Sequence, residues 1–373
     1  MPLVAHDRIA RTGTVAVVAG IALSVLLAPL GEPWRTGVAG AVAVVLVALG
    51  SPHGALDHLV MLANRPGTAG TRDRSVLGAF RGLSVPFVAG YGAVALVSLG
   101  AYLLAPRAGF ALFLVLSVAH FAAGEAGVAV ERGLARGWRD PLAWVASLGG
   151  AVVVVLPLAS REAGVAVTAV DPRLAPVLGP LPLLAGVLTV VGVLAVLCCV
   201  VAAVRGDHRA TTVATELAAL TALAALAHPL IAFAVFFAFW HSLRHQARLA
   251  DVLRGPTGVP LPEHVGRPLR EIVDSARGGV PATVGVLVMA VALGLTGATV
   301  LGGLLAVIWA LTVPHSVAVA VLEVRAGAAR RASAASGTER VVGASEGHGT
   351  TPLVGVDAGH RDPAPPAPHG MRG

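Results

Sequence analysis

The chain has 373 residues, of which 56% are hydrophobic and only 13% charged, and its mean hydropathy is +0.80. Soluble domains carry roughly 25% charged residues, so this composition excludes an ordinary soluble enzyme, a disulfide-built secreted module and a disordered protein, and points to an integral membrane protein. The formal charge of +7 comes from 27 basic residues, all arginine, scattered among apolar runs rather than gathered in one stripe, which argues against nucleic acid as a partner. The two cysteines, Cys198 and Cys199, are adjacent within an apolar run and supply neither a disulfide framework nor zinc spacing.

A bilayer core of about 30 Å takes roughly 20 apolar residues as helix. Runs free of Asp, Glu, Lys and Arg cover 12–31, 36–56, 83–106, 108–124, 141–160, 174–204, 217–243 and 278–322. The last run is too long for one pass, and Gly302-Gly303 divides it. His228-Pro229 divides 217–243, because proline removes a helical hydrogen bond and restricts the residue before it. That gives one span at about 211–227, including Glu216, and another at about 229–247. The expected fold is an all-α polytopic membrane bundle of about ten transmembrane helices, within a range of eight to ten. With the N-terminus in the cytoplasm, only Arg35, Arg107, Arg161 and Arg173 fall outside, and the other 23 arginines lie inside. This asymmetry follows the positive-inside rule and predicts a cell-membrane protein with both termini cytoplasmic. The first apolar run is long enough to span and no small-residue cleavage site follows it, so no cleavable signal peptide is expected. Residues 1–325 read as the transmembrane catalytic domain. Residues 326–373 shift to Ala, Gly, Ser, Pro and Arg and read as a disordered cytoplasmic tail. No internal repeat is evident, which weakens a transporter built from duplicated halves.

Ionisable groups inside spans are costly and mark function. Seven of the 13 histidines sit in or beside spans: His53, His58, His120, His228, His241, His245 and His315. In Phe239-Trp240-His241-Ser242-Leu243-Arg244-His245 the i, i+4 spacing stacks two imidazoles on one helical face. Such a pair either shares a metal ion or bonds near the headgroups. In Ser51-Pro52-His53-Gly54-Ala55-Leu56-Asp57-His58 the Pro and Gly interrupt the helix, which at membrane depth is tolerated where the backbone lines a cavity. Asp57 is placed to orient an imidazole, whereas His58, five residues from His53, faces away on a regular helix. His120, in Ser117-Val118-Ala119-His120-Phe121, lies within the fourth span, with Glu125 nearer its cytoplasmic end as an outer partner or an interfacial group. His315 follows Pro314 in the last span and reads like His120, whereas His228 beside Pro229 reads as a turn residue. Histidines on at least four spans are hard to satisfy except by convergence on one site. Imidazole suits iron, copper, zinc and nickel. The scarcity of carboxylates argues against calcium or magnesium, and no Cys-x-x-Cys-His for c-type haem is present.

The segments Pro52-His53-Gly54-Ala55-Leu56-Asp57-His58, Ala119-His120-Phe121, Phe239-Trp240-His241-Ser242-Leu243-Arg244-His245 and Pro314-His315, in that order, resemble the Brp/Blh family of bacterial and archaeal carotene dioxygenases. The resemblance covers roughly 38–325, and Phe-Trp-His-Ser-x-Arg-His is its most specific part. It implies a polytopic enzyme that uses Fe²⁺ and O₂ to cleave β-carotene at its central 15,15′ double bond into two molecules of all-trans-retinal. By motif match the iron ligands are His53, His120, His241 and His245; Asp57, His58, Glu125 and His315 are the candidate outer groups read from their positions, Glu125 having no firm counterpart in the family. A rhodopsin is the implied recipient of retinal, and the lipid bilayer holds the substrate. The chain departs from the family at Ala122, where glycine is usual, with Gly124 and Glu125 shifted along. The competing classes are a di-iron desaturase or hydroxylase, which needs about eight histidines in close clusters, and a haem-binding or transport protein.

Overall fold

The computed structural model describes residues 3–51, 54, 85–254, 306–321 and the single positions 284, 288, 303 and 324. The described residues contain helices and turns and no strand. In chain order they are α1 Leu3–Leu27, α2 Glu32–Gly50, α3 Val85–Leu104, α4 Pro106–Glu131, α5 Pro141–Leu158, the short α6 Arg161–Val170 and a 3₁₀ helix Pro172–Leu178. They continue with α7 Leu181–Val204, α8 His208–Leu226, α9 Pro229–Val235, a π-helical turn Phe236–His241, α10 Ser242–Arg254 and α11 Ala306–Val321. Met1–Ala326 forms one compact unit. The segment 326–373, read from sequence as a tail, lies outside the described residues, as does the N-terminal half of the 278–322 run apart from isolated positions.

Local chemistry sets the boundaries. Asp140, Ser160, Asp207 and His228 each accept a backbone N–H at the start of α5, α6, α8 and α9, satisfying amides that have no partner within the helix. Pro141 and Pro229 follow directly, where the missing N–H costs nothing. Helices α4 and α7 end on Gly133 and Gly206, whose positive φ values of 71° and 96° allow a Schellman stop. Leu134 N–H donates back to Ala129 O, and Asp207 N–H to Ala202 O.

Five helices among the described residues are long and apolar enough to cross a membrane: Ile9–Leu27, Glu32–Gly50, Pro106–Glu131, Pro141–Leu158 and Leu181–Val204. Val88–Leu104 and Ala306–Val321 are shorter apolar helices. Two expected spans are refined. The run from 174 is a 3₁₀ helix followed by α7, and α6 occupies what the sequence leaves as a loop around Arg161. The fourth expected span, 108–124, runs on to Glu131, with Glu125 buried against Arg244 and Glu131 paired with Arg248. Helix α8 turns its apolar face inward, with Val213, Leu217, Leu220 and Leu223 all buried. Helix α7 leaves Leu183, Val187, Val190 and Leu194 exposed, as a lipid-facing helix does. Helices α4 and α5 touch at the backbone: a Cβ on Gly150 would stand 2.4 Å from the Phe121 carbonyl carbon. This contact fixes the part of α4 that carries His120.

Candidate metal centre

The residue stretch 229–254 is one run of helix interrupted by the π turn. A π turn adds a residue to the helical circuit and re-aims the side chains beyond it. Ser242 Oγ lies 2.6 Å from Phe237 O, five residues back, and 3.1 Å from Gly50 O at the end of α2. A Cβ on Gly50 would meet Phe237 Cδ1 at 2.7 Å, so only glycine lets α2 end against this turn. The end of α2 therefore packs directly against the π turn that carries His241. Pro52, His53, Asp57 and His58 lie outside the described residues, but a Cβ on Gly54 would stand 3.7 Å from His315 Nδ1.

Among the described residues the structure gathers His120 from α4, His241 from the π turn and His315 from α11, with one ligand nitrogen of each within 4.8 Å of the others. His120 Nε2 and His241 Nε2 face each other at 3.2 Å. Two imidazoles binding one metal at about 2.0–2.1 Å hold their nitrogens on the order of 3 Å apart. The His120 ring lies 5.0 Å from that of His241 and 5.0 Å from that of His315, centroid to centroid. His245 sits one turn beyond His241, with ring centroids 6.0 Å apart and planes within 17°, and 5.4 Å from His315. His241, His245 and His315 are buried, and His120 is partly so. Phe121 stands edge-on to His241 at 4.7 Å, and Phe237 stacks against it at 6.4 Å. The donor set is thus nitrogen-only, in an apolar shell.

Below the histidines lies a layer of buried charge that sequence reasoning did not find. Glu125 Oε2 accepts from Trp240 Nε1 at 3.1 Å and from Arg244 Nη1 at 2.7 Å. Arg244 Nη2 lies 3.1 Å from Glu216 Oε2, and Glu216 Oε1 accepts from Arg132 Nη1 at 2.5 Å. The Arg244 guanidinium also covers the Trp240 ring at 4.1 Å. Arg248 forks onto Glu131 at 2.8 and 2.9 Å. Two carboxylates face two guanidiniums in the first set and one faces one in the second, so the layer carries no net charge. Such pairing is what burial demands. The partners of Glu125 are thus Trp240 and Arg244, sequence neighbours of His241 and His245, rather than a histidine. Arg244 and Arg248, assigned to a cytoplasmic loop by charge counting, are buried in the bundle. A signal for this was present: His241, Arg244, His245 and Arg248 fall at i, i+3, i+4 and i+7, the spacing of a core-facing helical stripe. Opposite them, Gly124 and Gly127 on α4 leave room. A Cβ at 127 would meet Arg248 Nη2 at 2.9 Å, and one at 124 would stand 3.7 Å from His241 Cε1.

Above the histidines the space is apolar. A small pocket touching His120, His241 and His315 shares Phe113, Ser117, Phe233 and Ile308 with a larger chamber. That chamber runs on past Pro157, Val167, Leu174 and Leu230 to helix α6. Its lining residues carry one hydroxyl, that of Ser117, and no charge.

The family model for beta-carotene 15,15'-dioxygenase matches residues 44–323, about three quarters of the chain. The chain belongs to this family. No curated protein and no solved structure shows significant similarity to it. Membership in the beta-carotene 15,15'-dioxygenase family implies a carotenoid-cleaving dioxygenase, and the matched region contains every histidine described above. His228, which the sequence assigned to a turn, caps α9 through Nδ1, accepting from Leu230 N–H at 3.3 Å.

Proposed function

We propose that the protein is an iron-dependent membrane dioxygenase that splits β-carotene at its 15,15′ double bond, C₄₀H₅₆ + O₂ giving two C₂₀H₂₈O, all-trans-retinal. The observation that carries this reading is the meeting of imidazoles from α4, the π turn and α11 at the end of an apolar chamber, in a chain of this family. We assign the iron to His53, His120, His241 and His245, with Asp57 and Glu125 as outer groups. The donor set fits the metal: neutral nitrogens suit a first-row ion, and no cysteine or carboxylate competes among the described cluster. Iron bound there would supply the activation of O₂ next to the alkene.

The protein's own residues bind, orient and exclude water. The chamber holds one arm of the polyene by dispersion alone, which an uncharged hydrocarbon requires. Phe121 and Phe237 wall the histidines from water. The reaction neither consumes nor releases a proton, so no acid or base is needed, and the nearby charges are all committed to one another. The bundle crosses the cell membrane about ten times with both termini cytoplasmic. Retinal would then leave into the bilayer, where a rhodopsin receives it. Expression in cells that make β-carotene tests the activity, with chromatography of retinal and metal analysis of the purified protein. Retinal formation with one non-haem iron per chain supports the reading. Unchanged carotene despite full membrane expression, or haem, or two irons, refutes it.

A further inference from the structure

We propose that His315 is itself an iron ligand, beside His120 and His241, rather than an outer group. This rests on the iron reading above but adds a ligand that the motif match does not assign.

The geometry carries it. Three points mutually within 4.8 Å always share a centre no more than about 2.8 Å from each, against metal–nitrogen bonds of about 2.0–2.1 Å. Less than an ångström of side-chain movement therefore brings all three nitrogens onto one ion. An outer imidazole sits elsewhere: it bonds the far ring nitrogen of a ligand and turns it from behind. A His315 ring nitrogen instead lies within 4.8 Å of a ring nitrogen of both His120 and His241, which also face each other through their Nε2 atoms at 3.2 Å. Its ring is inclined 65° to His120 and 72° to His245, so neighbouring rings meet edge to face around a common space. The backbone supports the placement. His315 follows Pro314 in α11, and Trp309 on the same helix donates through Nε1 to Ser98 O at 2.9 Å, fixing α11 against α3. A Cβ on Gly54 would stand 3.7 Å from His315 Nδ1, ordinary van der Waals contact with the ring.

The test uses the full-length protein purified in detergent, loaded anaerobically with Fe²⁺ or, as a coloured probe, Co²⁺. His315→Ala and His315→Gln are compared with wild type and with His228→Ala, each checked for monodisperse elution. Loss of an outer group typically costs 10–100-fold in metal affinity. Loss of a ligand is expected to cost more than about 100-fold in both variants, to shift the Co²⁺ absorption bands, and to lower the imidazole number seen by iron X-ray absorption. His228→Ala should match wild type. A His315→Gln protein that elutes normally, keeps the wild-type Co²⁺ spectrum and loses less than about 100-fold in affinity overturns the assignment. A wild-type protein that binds neither metal and leaves β-carotene intact instead overturns the iron reading, so the two failures are told apart.

Discussion

Helix α4 and the 229–254 helical run cross the site side by side in the same direction, and each carries three zones in the same order. On α4 these are Phe113 and Ser117, then His120, then Glu125 and Glu131. On the other they are Leu230 and Phe233, then His241, then Arg244 and Arg248. The chamber end is apolar and open, and the far end is polar and filled. The difference teaches where rigidity is invested. The substrate end needs room and no polar group, whereas the metal end needs fixed imidazoles. Paired charges lock the two helices in register immediately beneath them.

The largest expected effect strikes the zone between the ends. His241→Ala should abolish iron retention and retinal formation together, by at least about 100-fold, since even outer groups cost 10–100-fold. Metal analysis of the purified variant checks it, and full iron content would break the proposed centre. At the polar end, Arg244→Met leaves Glu125 buried without its partner and should cost about 3–5 kcal/mol. The double variant Arg244→Met/Glu125→Leu should regain most of that, because an apolar replacement removes both desolvation costs. Unfolding in detergent measures both; a double variant no better than the single would mean the charges act separately.

Gly150→Ala forces α4 from α5 at the Phe121 backbone and should cost about 1–3 kcal/mol. Gly186→Ala on lipid-facing α7, where nothing lies within 4 Å of the added Cβ, should instead gain about 0.5–1 kcal/mol from helix propensity. Equal thermal shifts would erase the distinction between buried and lipid-facing helices. At the chamber end, Ser117→Phe fills the junction with the histidine pocket. It should keep iron but lower kcat/KM about tenfold or more, equivalent to roughly 1.4 kcal/mol. Retinal assays beside iron content separate blockage from loss of metal. The smallest effect is expected from truncation after residue 326, which should leave carotene cleavage unchanged.

The sequence by itself determined the membrane class, because 56% apolar residues leave too little polar surface for water. It also determined most helix boundaries, since caps, prolines and glycines act within a few residues. The break at His228-Pro229 and the helical face shared by His241 and His245 were legible for the same reason. Tertiary structure alone decided what those faces meet. Nothing local says that His315, remote in sequence, reaches His120, or that Glu125 finds Arg244 across 119 residues. Counting charges along the chain assigned Arg244 and Arg248 to a loop, because an arginine looks the same to that rule whether water or a carboxylate solvates it. Only packing decides between the two. In a bundle interior with no water to share, each charge must find its counter-charge on another helix.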